Sequence, residues 1–279
     1  MSAIFRNRTL ALVLIVVFAV LAGGCNKLKA RDSLNKGVNA YKAGQYDRAI
    51  ELFKEAKSLD PALLNARLYL ATAYATQYIP GAPSPENVQR GEAAIQEFQD
   101  VLQLDPKNIS AVDGIGSILF QMAGQPYKPE KFEESKKYHL KHIELKPDDP
   151  EPYYWIGVID WTLAYRGNKE MRYEWNQTAS DRQKIKKDED PMPEKLRTEF
   201  NAKYGAVVDD GIKALEKAIQ VDPEYENAMA YLNLLYRQKA DQVDPGAPRE
   251  EYLTKADKLV DRVKEIRQKK AEQPAQPTS

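Results

Sequence analysis

The chain has 279 residues, of which 43% are hydrophobic and 29% charged, a composition typical of one or two soluble domains or one extended repeat array. Its 41 basic residues are balanced by 41 acidic ones, which argues against a nucleic-acid-binding protein, since such a protein would carry a basic excess. The single cysteine excludes an intramolecular disulfide and a multi-cysteine metal site.

The first 24 residues have the pattern of an export signal. Arg6 and Arg8 precede an unbroken apolar run over residues 10–22, which is short for a membrane span and typical of a secretory signal peptide. Small residues follow, and then Cys25. Residues 21–25, with the sequence LAGGC, resemble the lipobox of bacterial lipoproteins. The third position before the cysteine departs from the common pattern, because alanine stands where leucine is usual.

The lipobox resemblance implies cleavage of the signal peptide 1–24, attachment of a diacylglyceryl group to the Cys25 thiol and acylation of the new amine. Residues 25–29 would then be a lipidated linker. Two or three acyl chains are enough for stable anchoring, because each buried methylene contributes about 0.8 kcal/mol. Asn26 replaces the aspartate that marks inner-membrane retention in Gram-negative lipoproteins, which favours the outer membrane, facing the periplasm. The alternatives are an uncleaved anchor and a plain cleaved signal with an unmodified cysteine.

Four amphipathic segments of the chain end in the same way, with a hydrophobic residue, a polar residue and then Pro61, Pro106, Pro147 or Pro223. Proline ends a helix because it has no backbone N–H and disfavours helical conformation in the residue before it. Self-similarity on this scale indicates a repeat architecture.

The first repeat shows the spacing most clearly, since Gly37, Ala49, Phe53, Ala56 and Pro61 follow one another at intervals of 12, 4, 3 and 5 residues. This pattern resembles the tetratricopeptide repeat (TPR), a 34-residue helix–turn–helix unit with small residues at fixed positions and a terminal proline. The resemblance implies an all-α fold, a right-handed TPR solenoid of about five helix-turn-helix pairs over residues 30–271.

The proline spacing also predicts the bounds of the repeats, which are about 30–63, 64–108, 109–149, 150–224 and 225–271. Extra residues in the second repeat, at 79–85, and in the third, at 124–129, contain proline and glycine and are predicted to be loops. The fifth pair lacks the terminal proline and ends in a polar helix, as expected of a capping element. Residues 272–279 are rich in proline and glutamine and are predicted to be disordered.

The fourth repeat carries a long helical insertion. Apolar residues at helical spacing predict one helix from about Glu194 to Val221, and residues 169–187, without proline or glycine, predict another short helix. This repeat also holds all three tryptophans and several tyrosines, namely Tyr153, Tyr154, Trp155, Trp161, Tyr165, Tyr173 and Trp175. Such aromatic density indicates either a local core or a recognition pocket.

The predicted binding surface is the concave face, which the first helix of each repeat lines in TPR proteins. The twelfth position of each unit falls on Tyr41, Ala75, Phe120, Trp161 and Tyr236, and the fifth position on Leu34, Leu68, Tyr154 and Met229. We therefore predict that Tyr41, Phe120, Tyr154, Trp161 and Tyr236 bind a partner. An apolar, aromatic surface suits an extended or helical peptide. The alternative is that these side chains pack against neighbouring helices or the insertion.

The sequence predicts no catalytic residues, no cofactor and no metal site. His139 and His142 have the spacing to bind a metal on one helix face, but they occupy the positions of Phe53 and Ala56, which face the interior. No phosphate-binding glycine loop, nucleophile elbow or His-Glu-x-x-His motif occurs in the chain. An enzyme is therefore not expected.

These features together predict an exported, membrane-anchored lipoprotein that acts as a protein–protein interaction scaffold in cell-envelope assembly. The expected partners are proteins or peptides of the cell envelope and the membrane itself, through the N-terminal lipid, but no nucleic acid. The chain resembles TPR lipoproteins that serve outer-membrane barrel assembly, type IV pilus assembly or recruitment of cell-wall hydrolases. The alternative function is a periplasmic carrier or sensor of a small apolar or glycan ligand, which would use the aromatic cluster at residues 153–175.

Overall fold

The computed structural model describes residues 25–272, which form ten α-helices and contain no strand. The all-α prediction is therefore confirmed for this part of the chain. The predicted signal peptide, residues 1–24, and residues 273–279 of the predicted tail lie outside the described residues. The helices are α1 (residues 25–42), α2 (Tyr46–Leu59), α3 (Leu64–Gln77), α4 (Pro85–Leu104), α5 (Ile109–Gly124), α6 (Pro129–Leu145), α7 (Pro150–Thr178), α8 (Glu194–Val221), α9 (Glu226–Ala240) and α10 (Ala247–Glu272).

The chain divides into two compact units at the junction of Lys128 and Pro129. The N-terminal unit holds α1 to α5, and the C-terminal unit holds α6 to α10. Within each unit, helices that follow one another along the chain pack together, as α2, α3, α4 and α5 do in the first and α6 to α10 do in the second. The junction separates α5 from α6, the two helices of the predicted third repeat. Within residues 25–272, no helix is long and apolar enough to cross a membrane.

The predicted helix ends have a local cause beyond proline. Helices α2, α4 and α8 each stop one residue before an aspartate, and the three aspartates bind backbone N–H groups two residues ahead. The Asp60 carboxylate accepts from the Ala62 N–H at 3.2 Å. The same bond joins Asp105 to Lys107 at 3.2 Å and Asp222 to Glu224 at 3.0 Å. Aspartate therefore closes the turn with its side chain while the following proline prevents the helix from continuing.

The small residues of the first repeat permit the close helix approach that the sequence predicts. Ala49, Phe53 and Ala56 of α2 are fully buried, and the Phe53 ring lies directly over Gly37 of α1. A Cβ atom at Gly37 would lie 2.5 Å from that ring, so a larger residue would force the helices apart. The fourth repeat uses the same device, because a Cβ at Gly157 would lie 2.3 Å from the Leu215 side chain.

The insertion of the fourth repeat extends both helices of the pair. Helix α8 covers Glu194–Val221, as predicted, but the prediction of a separate helix over residues 169–187 is wrong. Helix α7 instead continues through Gly167 to Thr178, and residues 179–193 form a loop. Gly167 does not break the helix, because its missing side chain makes room for Tyr204 of α8, whose ring a Cβ would meet at 2.2 Å.

The two ends of the described chain are helical. Residues 25–29, which the sequence assigns to a lipidated linker, continue into the rest of α1, with Cys25 exposed. Helix α10 extends to Glu272, and Ala256 and Ile266 are its buried residues. Most of its other side chains are charged and face solvent, as a capping helix requires.

Candidate functional site

The N-terminal unit contains a groove of about 410 Å³ between the first helices of the second and third repeats. Its lining comes from three helices: Asn65, Leu68, Tyr69 and Thr72 of α3, Phe98 of α4, and Ser110 and Gly114 of α5. None of these side chains carries a formal charge. The lining therefore offers shape and hydrogen-bonding groups rather than formal charges.

The floor of the groove is aromatic. The Phe98 ring is almost fully buried, and it lies against Gly114 so closely that a Cβ there would approach to 2.4 Å. Tyr69 is 39% exposed, and its ring stacks on Phe53 with 5.6 Å between the ring centroids. Asn65 is exposed at the rim, while the Thr72 hydroxyl donates to the Leu68 carbonyl at 2.8 Å. An apolar floor with amide and hydroxyl groups at the rim fits an uncharged extended segment.

Ion pairs hold α3 against α4 on the flank of the groove. Arg67 donates to the Asp100 carboxylate at 2.9 Å and to the Pro61 carbonyl at 3.2 Å. Lys57 of α2 donates to Glu97 of α4 at 2.6 Å. These half-buried pairs join α2, α3 and α4, so two of the three helices that line the groove, α3 and α4, are fixed relative to one another.

The predicted binding residues of the N-terminal unit lie beside the groove rather than in its lining. Tyr41 is half-buried, its hydroxyl bonds to the Thr76 hydroxyl at 2.8 Å, and its ring meets the edge of Tyr46 at 5.3 Å. Phe120 is half-buried on α5. Sequence reasoning singled out Leu68 as a fifth-position residue but missed Asn65 and Thr72. Asn65 and Thr72 occupy the second and ninth positions of this repeat. Including those positions in the prediction would have identified both residues.

In the C-terminal unit the structure brings together two of the three predicted binding residues. The rings of Tyr154 and Trp161 both meet Tyr231, at centroid distances of 5.7 and 5.3 Å. Tyr236 lies elsewhere, with its ring 6.1 Å from Tyr252 and its hydroxyl donating to Glu216 at 2.7 Å. All three are half-buried against one hydrophobic cluster.

Burial also determines the protonation of these tyrosines. Burial, with Tyr231 and Glu151 nearby, raises the pKa of Tyr154 to about 12. Burial and the hydrogen bond to Glu216 raise the pKa of Tyr236 above its ordinary value. A tyrosine phenol of ordinary pKa is already neutral at physiological pH, and the raised pKa keeps both phenols neutral to higher pH.

The remaining aromatic residues of the fourth repeat are divided between separate contacts. Trp155 stacks on His139 at a centroid distance of 6.1 Å and donates its indole N–H to Glu151 at 3.0 Å. Trp175 donates to the Gln183 carbonyl at 2.9 Å and packs on a small core of Met192, Leu196 and Phe200. These contacts favour the local-core interpretation over a single recognition pocket.

The histidine pair is buried, as its repeat positions indicate, since His139 and His142 are each 3% exposed. Within residues 25–272 no three histidine, cysteine or acidic side chains cluster in a way that would hold a metal ion. Among these residues, neither imidazole nitrogen of His139 has a hydrogen-bond partner. Burial, with the nearby His142, lowers the pKa of His139 to about 4.

The depressed pKa of His139 predicts a stability change with pH. Between pH 6.5 and 4 the unfolded chain binds a proton at His139 that the folded chain excludes, so stability falls as pH falls through this window. His139→Phe, which places the residue type of Phe53 there, should remove this dependence. From pH 7 to pH 4 the wild type should lose about 2 to 3 kcal/mol more than the variant, measured by urea unfolding. Parallel pH profiles for the two proteins would contradict the prediction.

Comparison with known proteins agrees with this architecture. Residues 30–63 match the family model "Tetratricopeptide repeat". The mitochondrial import receptor subunit TOM70 of Rattus norvegicus is 33% identical over 84 residues, which are 30% of this chain. The chain covers 13% of the length of that curated relative.

Solved structures with a similar fold cover most of the chain. A crystal structure of MamA protein aligns with a TM-score of 0.55 and 17% identity, over 89% of this chain and 98% of its own. MamA from Desulfovibrio magneticus RS-1 aligns with a TM-score of 0.52 and 18% identity, over 84% and 96%. YrrB, described as a TPR protein with an unusual peptide-binding site, gives 0.50 and 15%, over 86% and 90%. The protein therefore carries a tetratricopeptide repeat at residues 30–63 and has the fold of TPR solenoid proteins.

Proposed function

We propose that this protein is an interaction scaffold that binds a peptide segment of its partners in the groove of the N-terminal unit. The observation that carries the proposal is the uncharged lining, with Phe98 and Leu68 below and Asn65 and Ser110 at the edges. An extended peptide presents unpaired backbone groups, which amide and hydroxyl side chains bind, and apolar side chains, which the floor buries. The fold supports this role, since TPR proteins bind protein or peptide partners.

A crosslinking experiment tests the groove in the cell. A photoreactive amino acid at Asn65 should capture discrete protein partners, because this exposed residue lines the groove. The same amino acid at Glu51 is the matched control, since Glu51 is exposed on α2 and outside the lining. Adding Leu68→Asp to the Asn65 protein should lower the yield severalfold by placing a charge in an apolar contact. Identical products from both positions, or none from Asn65, would refute the groove as the binding site.

We further propose that the protein is exported and anchored by lipid at Cys25, in the outer membrane and facing the periplasm, where it serves cell-envelope assembly. The lipobox-like residues 21–25 and the apolar run 10–22 support this location. Barrel assembly, pilus assembly and recruitment of cell-wall hydrolases remain the alternatives within this role. We propose no chemical step, and the protein acts by holding partners near the membrane.

Substitution of Cys25 tests the proposed lipid anchor. Cys25→Ala should abolish labelling of the protein with radioactive palmitate and remove it from the outer-membrane fraction, because the thiol that accepts the lipid is lost. Asn35→Ala, at an exposed position of α1, is the control and should keep both properties. A Cys25→Ala protein that still fractionates with the outer membrane would show that acylation of this residue is not the anchor.

The alternative function, carriage of an apolar or glycan ligand by the aromatic residues of 153–175, requires free ring faces. Tyr154 contacts the rings of Trp155, Tyr225 and Tyr231, and Trp155 stacks on His139. These contacts give Tyr154 and Trp155 a packing role, and they therefore favour the scaffold over a carrier that would use these two rings.

A further inference from the structure

The C-terminal unit contains a second concave feature, a pocket of about 270 Å³. It forms where the loop of residues 179–193, hereafter the insertion loop, lies over α7, α9 and α10. Its lining includes Tyr165, Lys169, Glu189, Arg237, Asp241 and Arg249. This pocket, hereafter the insertion pocket, shares no residue with the groove of the N-terminal unit. Ligand binding in the insertion pocket is therefore independent of the proposed scaffold function.

The floor of the insertion pocket is fixed by a buried polar network around Arg172, which is 5% exposed. Its guanidinium donates to the Asn168 side chain at 2.8 Å, to the Asp241 carboxylate at 2.9 Å and to the Asp190 carbonyl at 3.0 Å. Asn168 in turn donates to Asp241 at 3.0 Å. One side chain thus holds α7, the end of α9 and the loop together, which preorganises the floor.

The wall that the insertion loop provides is also held in place. Arg249 of α10 donates to the Glu189 carbonyl at 2.6 Å, and Lys169 of α7 forms an ion pair with Asp188 at 2.5 Å. The two contacts reach adjacent residues of the loop, one from α10 and the other from α7. The loop is therefore tied down where it closes the pocket.

Most charges around the insertion pocket neutralise one another. Lys169 pairs with Asp188, Asp241 pairs with Arg172, and Arg237 pairs with Asp257 at 2.7 Å. Two lining groups are left over within residues 25–272. The Arg249 guanidinium has no carboxylate partner there, and its buried Nε–H has no acceptor. Glu189 is exposed on the loop and lines the pocket, and its carboxylate forms no ion pair in this part of the chain either.

We propose that the insertion pocket binds a small zwitterion of amino-acid size, with its carboxylate on Arg249 and its ammonium on Glu189. A buried charged donor without an acceptor is costly, and a ligand carboxylate removes this cost through a charge-assisted hydrogen bond. One uncompensated cation and one uncompensated anion in the same pocket match a ligand that carries both charges. The volume of about 270 Å³ lies below that of sites for drug-sized ligands and suits a free amino acid.

Tyr165 provides both a contact and a reporter for this site. It is 38% exposed at the pocket, and Trp161 stacks on it with 5.0 Å between the ring centroids. The Lys169 ammonium also lies 5.6 Å from the ring centroid, so it is the exposed part of the ring that can contact the aliphatic part of a bound amino acid. Binding should therefore change the tryptophan fluorescence of the protein.

The test is isothermal titration of the full chain in detergent with L-alanine, L-glutamate and L-lysine as separate probes. At least one should bind saturably, and its N-acetyl and amide derivatives, which lack one of the two charges, should bind at least about tenfold more weakly. The dipeptide alanyl-alanine, whose two charges lie farther apart, distinguishes a free amino acid from a peptide. No saturable binding of any probe at millimolar concentration, or equal binding of the N-acetyl or amide derivative, would overturn the proposal.

Two charge-removing variants assign the contacts. Glu189→Gln and Arg249→Gln should each weaken binding at least about tenfold, because each removes one charged partner. The exposed residues Glu174 and Arg182 supply matched controls, since Glu174→Gln and Arg182→Gln change the same charges outside the lining. Glu189→Gln also leaves the backbone carbonyl that binds Arg249 intact, so it tests the site even if Arg249→Gln loosens the loop. Unchanged affinity in Glu189→Gln would exclude the proposed ammonium contact.

Discussion

Replacement of Arg172 by methionine is expected to lower the free energy of unfolding of the C-terminal unit by about 3 to 5 kcal/mol. The side chains of Arg172 and Asp241 are only 7% and 10% exposed, and removal of the guanidinium leaves the Asp241 carboxylate buried without its counter-charge. The same change releases the Asp190 carbonyl and the Asn168 amide. The measurement is urea unfolding followed by tryptophan fluorescence, which reports this unit because Trp155, Trp161 and Trp175 all lie in it.

Arg182→Met is the matched control for Arg172→Met, because Arg182 is exposed on the loop of residues 179–193, which Arg172 contacts through the Asp190 carbonyl. We expect it to change the free energy of unfolding by no more than about 0.5 kcal/mol. The double variant Arg172→Met, Asp241→Leu should recover much of the lost stability, since it removes both buried charges. Wild-type stability in Arg172→Met would mean that the network does not hold the insertion in place.

Replacement of Phe200 by alanine is expected to cost about 3 to 5 kcal/mol, the usual range for removing a buried phenylalanine. Phe200 is fully buried and packs against Met192 and Leu196, with the Tyr204 ring at a centroid distance of 5.3 Å. These residues form a core that belongs to the insertion itself. Amide hydrogen exchange over residues 192–204 should therefore accelerate more than exchange in α9.

Tyr173→Ala is the control for the Phe200 variant. Tyr173 is 67% exposed on α7, so its removal should leave both the unfolding transition and the exchange pattern near those of the wild type. If Phe200→Ala unfolds at the wild-type urea concentration, the insertion does not depend on this core.

The sequence predicted the helices well wherever their ends are set locally. The turns after Leu59, Leu104 and Val221 follow from an aspartate that binds the backbone and a proline that cannot continue the helix. The helix predicted from about Glu194 to Val221 is present over that range, because its apolar side chains recur at helical spacing. Helix ends and helical periodicity depend on residues close together in the chain, so a single sequence contains the information needed to predict them.

The misassigned helix over residues 169–187 shows where local reasoning fails. Gly167 has the properties of a helix breaker, yet helix α7 passes through it because Tyr204 of α8 occupies the space above it. Glycine is required at this position by a side chain of another helix, Tyr204 of α8. Intrinsic propensity is a weak preference that packing overrides, so the sequence alone could not distinguish a stop from a contact.

The candidate sites also combine residues that the sequence predicts with residues that only the tertiary structure brings together. Sequence positions within the repeat brought out Leu68 and the aromatic residues of the first helices, but the groove depends on Phe98 and Gly114, which come from two further helices. The insertion pocket joins Glu189 to Arg249, 60 residues away, and its floor joins Asn168 to Asp241, 73 residues away.

The sequence by itself determined the repeat, the helix ends and the residues that must be small for helices to pack. The tertiary structure decided which side chains meet, and therefore which charges are paired and which cavities remain. The physical reason is the range of the interactions. Backbone hydrogen bonding and proline act within a few residues, whereas burial and ion pairing act between residues that only folding brings together.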